Sequence, residues 1–219
     1  RRSTRNKRSA IPSDYVVYLQ ESDYNIGAKN DPETFSQAMS CKKSNLWHDA
    51  MKEEMNSMMS NGVWDLVELP NEAKAIGCKW VFKTKKDSLG NIERYKARLV
   101  AKGFTQKEGI DYTETFSPVS KKDSLRIILA LVAHFDLELQ QMDVKTVFLN
   151  GDLEEEVYMK QPEGFSSSVG EHLVCKLRKS IYGLKQASRQ WYFKFHEVIS
   201  SFGFVENLMD QCIYQKVSG

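Results

Sequence analysis

The 219-residue sequence has no apolar run longer than the seven residues from Ile127 to Ala133, closed off by Arg126 and His134. Seven residues cannot cross a bilayer, so no membrane partner is expected. Cysteine is scarce: Cys41, Cys78, Cys175 and Cys212 lie far apart and form no C-x-x-C pair. That argues against a zinc ribbon or a dithiol redox site. Isolated thiols suit a reducing compartment, which points to an intracellular location. The histidines (His48, His134, His172, His196) show neither H-x-x-x-H nor H-E-x-x-H spacing and read as structural or surface residues. A surplus of one charge is missing too: 31 Lys plus Arg face 29 Asp plus Glu, a net of +2. Bulk charge alone cannot hold such a chain on nucleic acid, so any anion site must come from local segregation. No internal repeat and no secretory leader is visible in it, and the sequence starts Arg1-Arg2-Ser3, without Met. It is expected to be a segment of something longer.

What is present suffices for a core. Hydrophobic residues make up 41%, charged residues 27% and aromatics 11%, which excludes a wholly disordered chain. The length fits one or two domains. Arg1, Arg2, Arg5, Lys7 and Arg8 form a basic run with no acid among the first ten residues. The reading for 1–44 is a basic, largely flexible linker, with a nucleic-acid arm or a nuclear localisation signal as the sharper alternative.

Periodicity supplies the elements. Leu46, Trp47, Ala50, Met51, Met55, Met58 and Met59 recur at helical steps, so a helix is expected over 45–60, capped by Ser44 and stopped at Asn61-Gly62. Val63 to Leu69 reads as a strand. Two extended runs, 78–86 and 91–101, flank Asp87-Ser88-Leu89-Gly90 and make a β-hairpin. A helix follows to about His134, capped by Ser120 or Asp123, with Leu125, Ile128, Leu129 and Val132 facing inward. Leu137 to Asp143, Glu155 to Gln161, Leu173 to Leu177 and Cys212 to Val217 read as strands, and 186–201 as a helix carrying Trp191, Phe195, Val198 and Ile199. Asp152 and Glu154 to Glu156 look loop-like and solvated. Strands and helices without strict alternation argue for an α+β fold.

Charge segregates on the hairpin. From Lys79 to Lys107 there are nine basic and two acidic residues. Period-two spacing puts Lys79, Lys83 and Lys85 on one side of the first strand and Arg94, Lys96 and Arg98 on one side of the second. Lysine-rich edges are common in solvated sheets. Crowded like charges nevertheless repel, and a polyanion would relieve them, which favours phosphate binding. One carboxylate stands out as well. Asp143 closes an expected strand in Gln141-Met142-Asp143-Val144-Lys145-Thr146-Val147-Phe148. Such an Asp can hold a hard cation or can cap the next turn.

Three segments carry a resemblance: CKWVFKTKKDSLGNIERYKARLVAKGFTQKEGIDYTETFSPV (78–119), QMDVKTVFLNGDLEEEVYMKQPEGF (141–165) and SIYGLKQASRQWY (180–192). In this order they resemble the reverse transcriptase region of copia-type retrotransposon Pol polyproteins. The resemblance covers roughly Trp47 to the C-terminus. It implies a right-hand polymerase, with a fingers region over 45–122 built on the hairpin 78–101. Over 123–219 it implies a partial palm, a ferredoxin-like or RRM-like mixed sheet with helices on one face. The implied chemistry is RNA-templated DNA synthesis with two Mg²⁺ ions.

The implied partners are an RNA template, a DNA primer, dNTP, an upstream integrase, and the rest of the palm, thumb and RNase H downstream. The implied setting is a cytoplasmic virus-like particle, with a nuclear phase as an extension.

Residue by residue, Asp143 matches the family's first catalytic, metal-binding Asp. Phe148 matches the aromatic under the deoxyribose, where a ring crowds a 2′-hydroxyl; ordinary core packing is the plainer reading. Lys85, Lys96 and Arg98 are the implied triphosphate cations. Tyr182, Gly183 and Lys185 match the loop that shapes the nucleotide pocket and grips template. Lys83, Arg94, Lys185 and Arg189 are placed on the template and primer. The sequence departs from the family at Val147, usually Ala, and at Ser188, usually Pro. It contains no Tyr-x-Asp-Asp signature, so the expectation is a C-terminally truncated polymerase that is inactive alone. The alternatives are a non-catalytic nucleic-acid-binding module and an inactive retroelement remnant.

Overall fold

A computed structural model describes residues 31–166, 170 and 172–216. The N-terminal basic run and Val217, the last residue of the expected strand at 212–217, lie outside the described residues. Helix α1 (Phe35–Ser40) begins at Thr34, whose hydroxyl accepts from the Gln37 N–H at 3.2 Å. This satisfies an otherwise orphaned donor of the first turn. Ala38 is fully buried and belongs to the main core. Residues 35–40 thus lie in the span expected as linker, yet they form a packed helix.

Helix α2 (Ser44–Ser60) buries Trp47, Ala50, Met51 and Met58. Those positions recur every three or four residues and so share one face. The cap differs from expectation. Lys43 holds the N-cap position without a side-chain bond, and Ser44 is already helical. The buried face of α2 lies on a hairpin of β2 (Cys78–Lys86) and β3 (Ile92–Ala101). Its register runs from Cys78↔Ala101 to Lys85↔Arg94, with one irregularity at Lys86. The Asp87 carboxylate fixes the turn by accepting from the Leu89 and Asn91 N–H groups at 2.9 and 2.8 Å. Trp80, Phe82, Ala97, Leu99 and Ala101 are buried. Trp47 meets Phe82 and Tyr95 edge-on, with ring centroids 5.3 and 4.7 Å apart.

A second sheet has the order β1 (Trp64–Val67), β5 (Val174–Lys179), β4 (Asp152–Lys160), all antiparallel. Val157, Met159, Cys175 and Leu177 share the core with the hairpin. Strand β4 starts at Asp152, so the acidic run 152–156 is extended backbone and not a loop. A third, two-stranded sheet pairs β6 (Val205–Glu206) with β7 (Tyr214–Gln215).

The α+β class agrees with the sequence, but the expected single mixed sheet does not appear among the described residues. The strand expected at 137–143 is an irregular, exposed run. A strand persists only where a neighbour takes its N–H and C=O groups, and no described strand pairs with this segment.

Helix α3 (Lys122–Phe135) shows the same deficit. It contains no buried residue, and Leu125 and Leu129 are exposed, contrary to the inward face expected of them. Neither Ser120 nor Asp123 caps it. Lys121 is the N-cap residue without a side-chain bond, while Asp210, far along the chain, accepts from the Lys121 N–H at 3.4 Å and from the Ser124 side chain. Helix α4 (Ala187–Ser201) begins one residue after its expected start and is buried only at Ala187. No helix among the described residues is long and apolar enough to cross a membrane.

Candidate nucleotide and nucleic-acid site

The hairpin register decides where the charges go. Lys83 pairs with Lys96, Lys85 with Arg94, and Val81 with Arg98. Directly opposed residues project to the same side of a two-stranded ladder, and like charges so placed destabilise it. Lys79, Lys83, Lys85, Arg94, Lys96 and Arg98 therefore alternate with the buried Trp80, Phe82, Ala97 and Leu99 and leave the hairpin from its other face. An anion seated there would offset the repulsion. Arg94 is tied to Glu53 of α2 at 2.8 Å. The Lys83 ammonium is shielded from solvent and has no hydrogen-bond partner among the described residues. A shielded ammonium in that state is costly, and an anionic oxygen would satisfy it.

The loop at 180–187 closes over the base of this face. Arg98 lies 5.0 Å from the centroid of the Tyr182 ring, and Phe148 meets the same ring edge-on at 4.9 Å. Phe148 comes from the 3₁₀ turn Val147–Asn150, so two distant segments, β3 and this turn, converge on Tyr182. The Ala101 N–H donates to the Tyr182 carbonyl at 2.8 Å. Gly183 has φ +93°, and a side chain there would overlap the Ala101 carbonyl oxygen. Gly103 is excluded from bearing a side chain for the matching reason, its partner being the Gly183 carbonyl. Only backbone without Cβ allows this approach.

Besides Arg94, two more of the expected template cations are engaged within the protein. The Lys185 ammonium donates to the Gln106 carbonyl at 3.3 Å and to the Tyr112 hydroxyl at 3.1 Å. Arg189 pairs with Glu114 at 2.8 Å and donates to the Phe116 carbonyl at 2.8 Å. Of the departures, Val147 is half-buried in the turn before Phe148 and Ser188 is exposed in the first turn of α4. The first turn of a helix accepts proline or serine alike, so the change at Ser188 needs no backbone adjustment.

Asp143 is exposed in the irregular run before Phe148. Two metal ions need several carboxylates converging from more than one segment. Among the described residues no group of three or more His, Cys, Asp or Glu side chains could hold a metal ion. The described donor set does not fit a two-metal centre. Sequence reasoning missed the buried pair Gln106 and Gln186, because an amide in a polar stretch gives no periodic signal.

A family profile described as reverse transcriptase (RNA-dependent DNA polymerase) matches residues 61–219. The chain is 53% identical over 191 residues to the retrovirus-related Pol polyprotein from transposon TNT 1-94 of Nicotiana tabacum, covering 87% of this chain and 14% of that protein. Against the retrovirus-related Pol polyprotein from transposon RE1 of Arabidopsis thaliana, identity is 43% over 190 residues, 86% of this chain and 13% of that protein. The corresponding polyprotein from transposon RE2 of the same plant is 45% identical over 190 residues, with the same coverage of 86% and 13%. The chain thus spans only 13–14% of the length of these relatives. No solved structure matches.

Proposed function

Because this chain belongs to the reverse transcriptase (RNA-dependent DNA polymerase) family of retrotransposon Pol polyproteins, we propose that it forms the nucleotide-binding side of a right-hand polymerase. The hairpin β2–β3 serves as fingers, and β4, β5, α3 and α4 belong to a palm. The observation that carries this reading is the Phe148–Tyr182–Arg98 cluster, where two aromatic rings and a guanidinium meet beside a face rich in like charges. Arg98, Lys96 and Lys85 bind the triphosphate of a dNTP. Tyr182 and Phe148 take the sugar, and the Phe148 ring disfavours a 2′-hydroxyl. Lys83 and Arg94 extend the cationic track toward template and primer. Lys185 and Arg189 act by fixing the 180–187 loop and the 112–116 segment through the bonds they already make.

Asp143 is the carboxylate this chain would contribute to a Mg²⁺ centre. With no second cluster of donors among the described residues, the chain alone is expected to bind nucleotide without extending a primer. The test is binding of a fluorescent dATP analogue and its ribose counterpart, alongside primer extension with Mg²⁺ and dNTPs. We expect dATP preferred over ATP, the preference lost in Phe148→Ala, and binding lost in Arg98→Ala. Equal binding of both sugars by wild type and variant would remove the pocket assignment. Robust extension that Asp143→Asn abolishes would show that the chain needs no outside carboxylates.

A second reading, a nucleic-acid-binding module without catalysis, draws on the opposed pairs Lys83↔Lys96 and Lys85↔Arg94. It predicts single-strand binding whose log affinity falls with log salt by about 0.7 per phosphate contact.

A further inference from the structure

The loop bearing Tyr182 and Gly183 is held by two buried side chains, Gln106 and Gln186. Gln106 follows the 3₁₀ turn Gly103–Thr105, just after β3, and is 5% exposed; Gln186 precedes α4 and is fully buried. The Gln106 carboxamide oxygen accepts from the Lys185 N–H at 2.9 Å, and its nitrogen donates to the Gln186 oxygen at 3.0 Å. The Gln186 nitrogen donates in turn to the Asp111 carbonyl at 2.9 Å. Two buried amides thus tie three backbone segments in series: 103–106, 111 and 185–186.

We propose that Gln106 and Gln186 form a clasp that positions the Tyr182–Gly183 loop against the hairpin, making both of them positioning residues for nucleotide binding. This rests on the nucleotide pocket proposed above.

The physical reason is directional. Gly183 lacks a side chain and sits at positive φ, so it is the most pliable point of the loop. Packing alone cannot fix its rotation, because the neighbours it meets are the backbones of Ala101 and Gly103 and the Val100 side chain. Hydrogen bonds set rotation where packing does not. One is the backbone bond from Ala101 N–H to Tyr182 O, before the glycine. The other is the bond from Lys185 N–H to Gln106, after it. Removing the second leaves the chain after the glycine held only through the Lys185 ammonium, at the end of a flexible side chain, and the Tyr182 ring can leave the Arg98 guanidinium. A buried amide left without its partner costs its desolvation as well, on the order of tenfold or more in an equilibrium constant.

The test compares Gln106→Met with Gln106→Glu in the full chain. Methionine keeps length and volume and makes no such bond. Glutamate keeps the acceptor for the Lys185 N–H, and in the neutral form that burial favours it donates to the Gln186 oxygen while the Gln186 bond to Asp111 stays in place. The measurements are amide hydrogen exchange at Lys185 and Ala101, urea unfolding, and affinity for the fluorescent dATP analogue.

We expect Gln106→Met to lose protection at Lys185, to keep most of its protection at Ala101, and to bind dATP about tenfold more weakly. Gln106→Glu should restore both the protection and the affinity. Loss of protection with unchanged dATP affinity would overturn the positioning role. So would equal weakening in both variants in step with global stability, which is the mark of a purely structural contact. Should the wild type bind no dATP while the Lys185 exchange pattern follows expectation, the pocket reading fails and the claim that the clasp acts on nucleotide fails with it, but the clasp itself stands. If exchange is unaffected in Gln106→Met, the clasp is wrong whatever the affinity.

Discussion

The α2–hairpin unit and the α3 segment have equally clear apolar patterns and opposite fates. In α2 the residues Trp47, Ala50, Met51 and Met58 are buried against a hairpin whose own buried face presents Trp80, Phe82 and Leu99. In α3, Leu125, Ile127, Leu129 and Leu131 stay exposed, and the run 137–143 beyond it forms no ladder. An amphipathic helix reports that a partner is needed, not that one is at hand. Hydrophobic patterning alone is therefore safe for secondary structure and unsafe for burial. The comparison also shows why the metal-ligand expectation is the weaker part of the site. Asp143 lies in the exposed run that follows α3 in the chain, whereas Arg98 and Tyr182 belong to the packed half.

The most direct way to break this contrast is a pair of truncations. Leu99→Ala, at a position with no exposed area, should cost about 2–5 kcal/mol in urea unfolding. Leu129→Ala should change it by less than about 0.5 kcal/mol. Similar losses at both sites would mean that α3 is packed in solution.

Gly183→Ala comes next. It forces a Cβ onto the Ala101 carbonyl at positive φ, and about 1–3 kcal/mol of strain is expected. The unfolding midpoint should fall, and dATP affinity should fall further than the stability loss explains. A variant with wild-type affinity would dismiss the close approach as a requirement.

Acid unfolding sharpens the view of the loosely packed half. The Ser124 side chain, the Cys212 N–H and the N-terminus of α3 hold the Asp210 carboxyl below its ordinary 3.8. A depressed carboxylate stabilises the fold fully above that ordinary value, and the contribution disappears as pH falls through the folded value. Asp210→Asn should therefore melt earlier at pH 7, with the gap to wild type closing in acid. A gap that stays constant with pH would assign the effect to packing.

The smallest effect belongs to the packed half. Burial pushes the Glu54 carboxyl above its ordinary 4.5, although the Leu99 N–H bond and the nearby Arg98 and Lys96 pull the other way. Here the sign reverses: the fold favours the neutral acid, so stability is lost as pH rises through the folded value. Glu54→Gln keeps an acceptor for Leu99 and should raise the melting temperature slightly at pH 7 and not at pH 4. Destabilisation at pH 7 would show that attraction to the basic strand outweighs desolvation.

The hairpin was legible from one end to the other because everything that sets it is local. The turn residues, the alternation and the basic residues all fall within 78–101, whereas the pairing 83↔96 depends on the irregularity at Lys86, which shifts the register by one from the turn pair 86↔92. Helix α2 was legible for the same reason, apart from its cap. The caps failed at both α2 and α3 because sequence offers several polar residues near a helix start, while only folded backbone decides which one reaches an N–H. At α3 the carboxylate comes from Asp210, which no local rule would select.

Sequence by itself determined the elements whose partners are neighbours in the chain, together with the family, since identity over most of the chain carries both. Tertiary structure alone decided that Phe148, Tyr182 and Arg98 meet, that Lys185 and Arg189 are engaged internally, and that Gln106 and Gln186 clasp a loop. Those contacts join residues dozens of positions apart. Their geometry follows from backbones packed at Gly103 and Gly183, where the determining feature is an absent side chain.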